Sequence, residues 1–176
     1  LNVNTGSITI KDGASTDTEI TLIDSDDKTI EAISGNIYSR EGVRNGDKMV
    51  LASTFNGKYT ADLVDVIDGS QNTTGATLDG GAKGVSLIGG SGNDTLISGT
   101  TNGFELTGGK GDDVFVYNGG KGSITDYSQK GTYGKDKLVI GDEFNFEGYD
   151  IQGNNIILNY GEGNVLTIEK IGRAHV

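Results

Sequence analysis

The sequence predicts an all-β protein: a short parallel β-solenoid at the centre, a small β region before it and an antiparallel β cap after it. Three observations lead there. Apolar residues gather in short runs (ITLI, MVLAS, LVIG, NIILNY, VLTI) of strand length. Thirty glycines punctuate a chain that has no proline. Large apolar residues return at Leu78, Leu87, Leu96, Leu106, Phe115 and Ile124, in steps of 9, 9, 10, 9 and 9. Such a step is too long for alternation within one strand and too regular for ordinary hairpins. It marks a solenoid, in which each repeat adds a strand and a turn and buries its apolar face only against its neighbours.

Composition narrows the function classes. The 176 residues suffice for a real core. A 34% hydrophobic content with a net charge of -11 would suggest disorder, but the strand-like runs argue for a folded protein. The acidic balance disfavours nucleic acid as a partner. No apolar run reaches the ~18 residues of a membrane span. Without cysteine there is neither a disulfide framework nor a zinc-thiolate site. The chain starts at Leu1 with no signal peptide and is expected to be a fragment. Its last six residues, IGRAHV (171–176), resemble the in-frame translation of a widely used sequencing adapter and are expected to be an artefact. The only histidine, His175, falls among them, which removes the commonest general base.

Residues 1–62 form the N-terminal β region, of no nameable chemistry, with strand-length pieces SITI, TEITLID, KTIEAI, NIYS, KMVLAS and KYTADL. DSDDK (Asp24 to Lys28) resembles the start of an EF-hand loop, but Thr29 and Gly35 stand where Gly and Glu are needed, so a hairpin turn is expected. NGK (Asn56 to Lys58) is likewise expected to turn a hairpin. The solenoid is assigned to residues 63–134. Residues 135–170 lose the period; KDKLVIGD, YDIQGNNIILNY and GNVLTIEK read as antiparallel strands turned at Gly153 to Asn155 and Gly161 to Asn164. A cap there would cover the open solenoid edge.

Within the solenoid, GGSGNDTLI begins at Gly89 and GGKGDDVFV at Gly108. Both fit G-G-x-G-x-D-x-U-x, where U is a large apolar residue. Glycines permit a sharp turn that brings backbone carbonyls together, and Asp94 and Asp113 add carboxylates. Ca²⁺ takes roughly 6–8 oxygen ligands of these kinds. Asp94 and Asp113 are 19 residues apart. If each nonapeptide is half a coil, the two turns stack on one edge, with the ten-residue piece Ser98 to Thr107 bulging on the other. The expected ligand set is Gly89, Gly90, Gly92, Asp94, Gly108, Gly109, Gly111 and Asp113, around one Ca²⁺ ion. On the opposite edge GGAKGVSLI has Val85 at the Asp position, and no ion is expected. Asp126 is expected to cap a turn or stand solvated, with a second ion as the alternative. Tyr117, Tyr127, Tyr133, Phe144 and Phe146 read as core and cap packing, with a carbohydrate platform as the alternative.

Residues 76–140 resemble the hemolysin-type (RTX) calcium-binding repeats of bacterial secreted and surface proteins, through the two nonapeptides and the sequence GDDVFVY, SITDY, KDKLVI that follows. The resemblance implies a parallel β-roll that orders on binding Ca²⁺ outside the cell. Val85, the ten-residue rung and KGS (Lys121 to Ser123) depart from the pattern. The expected function is a non-catalytic, extracellular calcium-binding repeat module. Neither a zincin HExxH nor a GxSxG elbow is present. Two alternatives stand beside it: the tail of a secreted enzyme (protease, lipase or polysaccharide-modifying), and a metal-free adhesin solenoid that presents a β surface to a glycan or another cell-surface partner. In the latter, Asp94 and Asp113 would only satisfy turn amides.

Overall fold

The computed structural model describes residues 36–38, 41–45, 47–129, 133–141 and 143–169. The pieces SITI, TEITLID, KTIEAI and DSDDK, and the terminal IGRAHV with His175, lie outside them. Among the described residues the chain is all-β, with no α-helix and therefore none long and apolar enough to cross a membrane.

The centre is a parallel β-solenoid of five coils, each giving one strand to each of two facing sheets. The first coil is β3 (Lys48–Leu51) and β4 (Lys58–Thr60), and the second β5 (Val66–Asp68) and β6 (Thr77–Asp79). The third is β7 (Ser86–Ile88) and β8 (Thr95–Ile97), and the fourth β9 (Phe104–Thr107) and β10 (Val114–Tyr117). The fifth is β11 (Lys121–Ile124) and β12 (Lys137–Ile140). Odd-numbered strands of the coils pair in parallel in a long, ten-stranded sheet; even-numbered strands form a short, five-stranded one.

Register explains the rhythm of the sequence. Met49, Ile67, Leu87, Leu106 and Ile124 stack down the long sheet, and Tyr59, Leu78, Leu96, Phe115 and Leu138 down the short one. Six of these, Leu78, Leu87, Leu96, Leu106, Phe115 and Ile124, are the residues of the nine-residue period, and all are buried. Each strand is too short to form alone. Burial of one or two large side chains on most strands, at about 1.5–3 kcal/mol each, holds them against their neighbours.

Antiparallel hairpins extend the long sheet at both ends. β1 (Asn36–Tyr38) and β2 (Gly42–Asn45) precede β3. β13 (Gly148–Gln152) and β14 (Asn155–Asn159) follow, and β15 (Val165–Ile168) joins them to the solenoid, parallel to β11 and antiparallel to β14. The turns at 153–155 and 161–164 lie where the sequence places them. Phe144 and Tyr160 close the interior over Tyr117, at ring separations of 5.2 and 5.4 Å.

Three expectations change. Lys137–Ile140 is not an antiparallel cap strand; it pairs in parallel with β10, because Gly134, Asp136 and Leu138 repeat the second half of the nonapeptide after a long loop. Val165–Ile168 is antiparallel on one side only. Asn56 to Lys58 does not turn a hairpin, since β3 and β4 lie in different sheets; it belongs to a solenoid corner.

Candidate metal centre

The corners of the solenoid fall on two edges. Turns that pass from the long sheet to the short one share the near edge; they include Gly89–Asp94, Gly108–Asp113 and the described residues between β11 and β12, 125–129 and 133–136. Turns that return share the far edge.

On the near edge the two nonapeptide turns stack directly. Lys110 N donates to Gly90 O at 2.9 Å, as Ser91 N does to Asn72 O at 2.9 Å. Glycine is required mainly for space: a side chain on Gly109 would meet Gly90 O, and one on Gly111 would meet Gly92 O. Only Gly109 and Gly111 of the six turn glycines take positive φ, +98° and +118°. The converging carbonyls are therefore partly committed, Gly90 O to the turn above it.

The carboxylates form a column. Ala76, Asp94, Asp113 and Asp136 occupy the same place in successive coils, just ahead of the short-sheet strand. Each carboxylate reaches back one coil. Asp94 Oδ1 accepts from Ala76 N at 2.7 Å, Asp113 Oδ1 from Asp94 N at 2.8 Å, and Asp136 Oδ1 from Asp113 N at 3.1 Å. Asp94 Oδ2 also accepts from Gly90 N at 2.7 Å, and Asp136 Oδ2 from Ser128 N at 2.6 Å. Asp113 Oδ2 is buried and, among the described residues, has no hydrogen-bond partner. Beside the column, Asp126 caps the second turn, accepting from Gly108 N at 2.9 Å and Gly109 N at 2.8 Å.

Asp94 and Asp113 are each only 1% exposed. Burial is the main cause that raises the carboxyls of Asp94, Asp113 and Asp136 above the usual range. Asp113 is pushed up to about 7, with Asp136, Asp94 and Asp126 adding like-charge repulsion to the burial. Elsewhere on the solenoid aspartates have cationic neighbours: Lys48 pairs with Asp68 at 2.6 Å, Lys58 with Asp79 at 2.7 Å and Lys83 with Asp65 at 2.5 Å. Among the described residues no lysine or arginine pairs with the column or with Asp126.

No protein-family model, curated protein or solved structure matches this chain. The chemistry of the site therefore stands on its own atoms. These fit a hard cation in three respects: buried carboxylates, an orphaned carboxylate oxygen, and glycines whose missing side chains leave oxygens close together. A side chain on Gly89 would run into Gly108 O and the Asp94 carboxylate; one on Gly108 would run into Asp113 Oδ2. Among the described residues no three His, Cys, Asp or Glu side chains form a metal-holding group. A turn that binds Ca²⁺ through two carboxylates and backbone oxygens does not need one.

On the far edge the position that matches Asp94 is apolar. Val85 is buried, and Phe104 lies one coil above it, tied by Glu105 N to Val85 O at 3.1 Å. The turn 98–103 carries no carboxylate; Ser98 Oγ accepts from Asn118 N at 2.9 Å and Asn102 Oδ1 from Lys121 N at 2.9 Å. The aromatic residues divide. Tyr117, Tyr127 and Phe144 pack inside, while Tyr133 and Phe146 are 58% and 53% exposed.

Sequence reasoning missed Asp136 and Asn72. The signal for Asp136 was present, since GKDKLV repeats the G-x-D-x-U-x of GNDTLI and GDDVFV. Asn72 does by a neutral amide what the aspartates do by charge: Nδ2 donates to Ala52 O and Phe55 O, and Oδ1 accepts from Gly75 N. Nothing in its local sequence distinguishes it from an ordinary turn asparagine.

Proposed function

We propose that the chain is a non-catalytic, RTX-type calcium-binding repeat module of a bacterial secreted or surface protein, which Ca²⁺ orders after export. The ion sits between the two nonapeptide turns, bound by Asp94, Asp113 and carbonyls of the turn glycines. The observation that carries this reading is the column of three buried carboxylates, which among the described residues has no cationic side chain paired with it. Buried negative charge is costly unless it is paired, protonated or bound to a metal. Outside the cell Ca²⁺ is abundant enough to supply the missing charge, and extracellular sites bind it with a Kd of about 10⁻⁴–10⁻³ M. Bound Ca²⁺ would neutralise the carboxylates; the glycine turns orient them and exclude water from their inner side.

A metal-free solenoid is the second reading, favoured by the fact that both Asp94 oxygens already accept backbone amides. Calorimetric titration of the Ca²⁺-free protein separates the two. The module reading expects saturable heat in the millimolar range that Asp94→Asn weakens at least tenfold. An isotherm indistinguishable from the dilution blank would leave the metal-free solenoid.

A further inference from the structure

We propose that β13, the last strand of the long sheet, is a docking edge for a partner protein, which adds an extended segment of alternating apolar and cationic residues as the next strand.

The long sheet outlasts the short one. β12 ends the five-stranded sheet, whereas β15, β14 and β13 carry the ten-stranded sheet past the fifth coil. The inward rows of the solenoid therefore run out into solvent. Register continues one row from Ile124 through Ile168 and Ile156 to Ile151, and another from Leu166 through Leu158 to Tyr149. Exposure climbs along both. Leu166 and Ile168 are buried and Leu158 and Ile156 half-buried, while Tyr149 is 62% and Ile151 67% exposed. Among the described residues no strand pairs with the outer edge of β13. Natural edge strands are often blocked by proline, lysine or a bulge. β13 reads GYDIQ and pairs with β14 residue for residue, so it has none of these.

The strand itself dictates the pattern of its partner. Residues directly opposite on adjacent strands present their side chains on the same face. Apolar residues are wanted opposite Tyr149 and Ile151, and a cation opposite Asp150, which lies on the other face. The surrounding charge makes the same demand. Residues 143–169 hold five acids (Glu143, Glu147, Asp150, Glu162 and Glu169) and no lysine, arginine or histidine. A second copy fits badly. The antiparallel register that sets Tyr149 of one copy beside Ile151 of the other sets Asp150 opposite Asp150, and like charges directly opposite are destabilising. Residues 1–35 of this chain fit no better, with seven acids against two lysines. A cationic strand from another protein meets both demands; its backbone supplies the hydrogen bonds of the edge and its alternate side chains the selectivity.

Fluorescence anisotropy of a labelled peptide of alternating valine and lysine, mixed with the full chain in millimolar Ca²⁺ at physiological salt, tests this. Saturable binding is expected, with the valine–glutamate counterpart weaker by about tenfold or more. Ile151→Glu separates docking from general charge attraction, because it adds an acid at a position that is already exposed. Docking expects the lysine peptide to bind this variant about tenfold more weakly; equal or tighter binding overturns the proposal. The lysine peptide N-methylated at alternate residues cannot pair along an edge and is expected to lose its binding, and retained binding overturns strand addition. No binding to the unmodified protein overturns the docking edge itself. A peptide-free dimer in sedimentation that Ile151→Glu dissociates overturns the choice of partner and assigns the edge to a second copy.

Discussion

Val85 and Asp94 fill the same position of the nine-residue pattern on opposite edges, and their surroundings have little in common. Val85 is buried against the layer that holds Phe104, and its side chain makes only apolar packing there. Val85→Asp should therefore build no ion site and should destabilise the protein by about 3 kcal/mol, the cost of burying an unpaired acid. Urea unfolding checks this, and a variant as stable as the parent would show that this buried position admits charge. Asp113 gives the opposite case. Asp113→Asn keeps an oxygen for Asp94 N and removes a charge that burial and three neighbouring carboxylates oppose. In EDTA at pH 8 it should be more stable than the parent by on the order of 2 kcal/mol. Its melting curve should no longer respond to Ca²⁺. A loss of stability in EDTA would mean that the Asp113 charge is already compensated within the protein.

The carboxylate column is the element that couples the coils, and its protonation sets the pH behaviour of the metal-free protein. Asp113 holds its proton up to about pH 7 in the folded state, against an ordinary value of 3.8, and Asp94 and Asp136 shift the same way. Between those two pH values the folded state binds more protons than the unfolded chain. Stability in EDTA must therefore fall as pH rises from about 4 to about 7, by an amount on the order of 2–4 kcal/mol for Asp113. Ca²⁺ binds the ionised form, so saturating Ca²⁺ should remove the decline. Denaturant midpoints measured across this range with and without Ca²⁺ check both statements. A metal-free stability that rises through the window would contradict the burial of these groups.

Across the whole molecule, the sequence discloses those features that repeat locally. The six inward residues from Leu78 to Ile124 are visible because every coil spends about the same number of residues between them. The first coil is hidden because its turn has no glycine phrase. The second strand of the fifth coil is hidden because a longer connection separates Phe115 from its partner Leu138 by 23 residues. The end hairpins are legible from their turns, Gly153 to Asn155 and Gly161 to Asn164. Asp94 and Asp113 can be read as a stacked pair from spacing alone. The assignment of amides to carboxylates, which leaves Asp113 Oδ2 without a donor, depends on three coils at once and has no local signature. A solenoid couples each coil to its neighbours, so charge compensation at one step stabilises the array as a unit. Thermal unfolding of the full chain in EDTA and in millimolar Ca²⁺ at pH 8 tests that claim most directly. At a hundredfold excess over Kd each site adds about 2.7 kcal/mol. The melting temperature should then rise by at least about 5 °C and keep rising with the logarithm of the Ca²⁺ concentration. Superimposed curves would contradict the account.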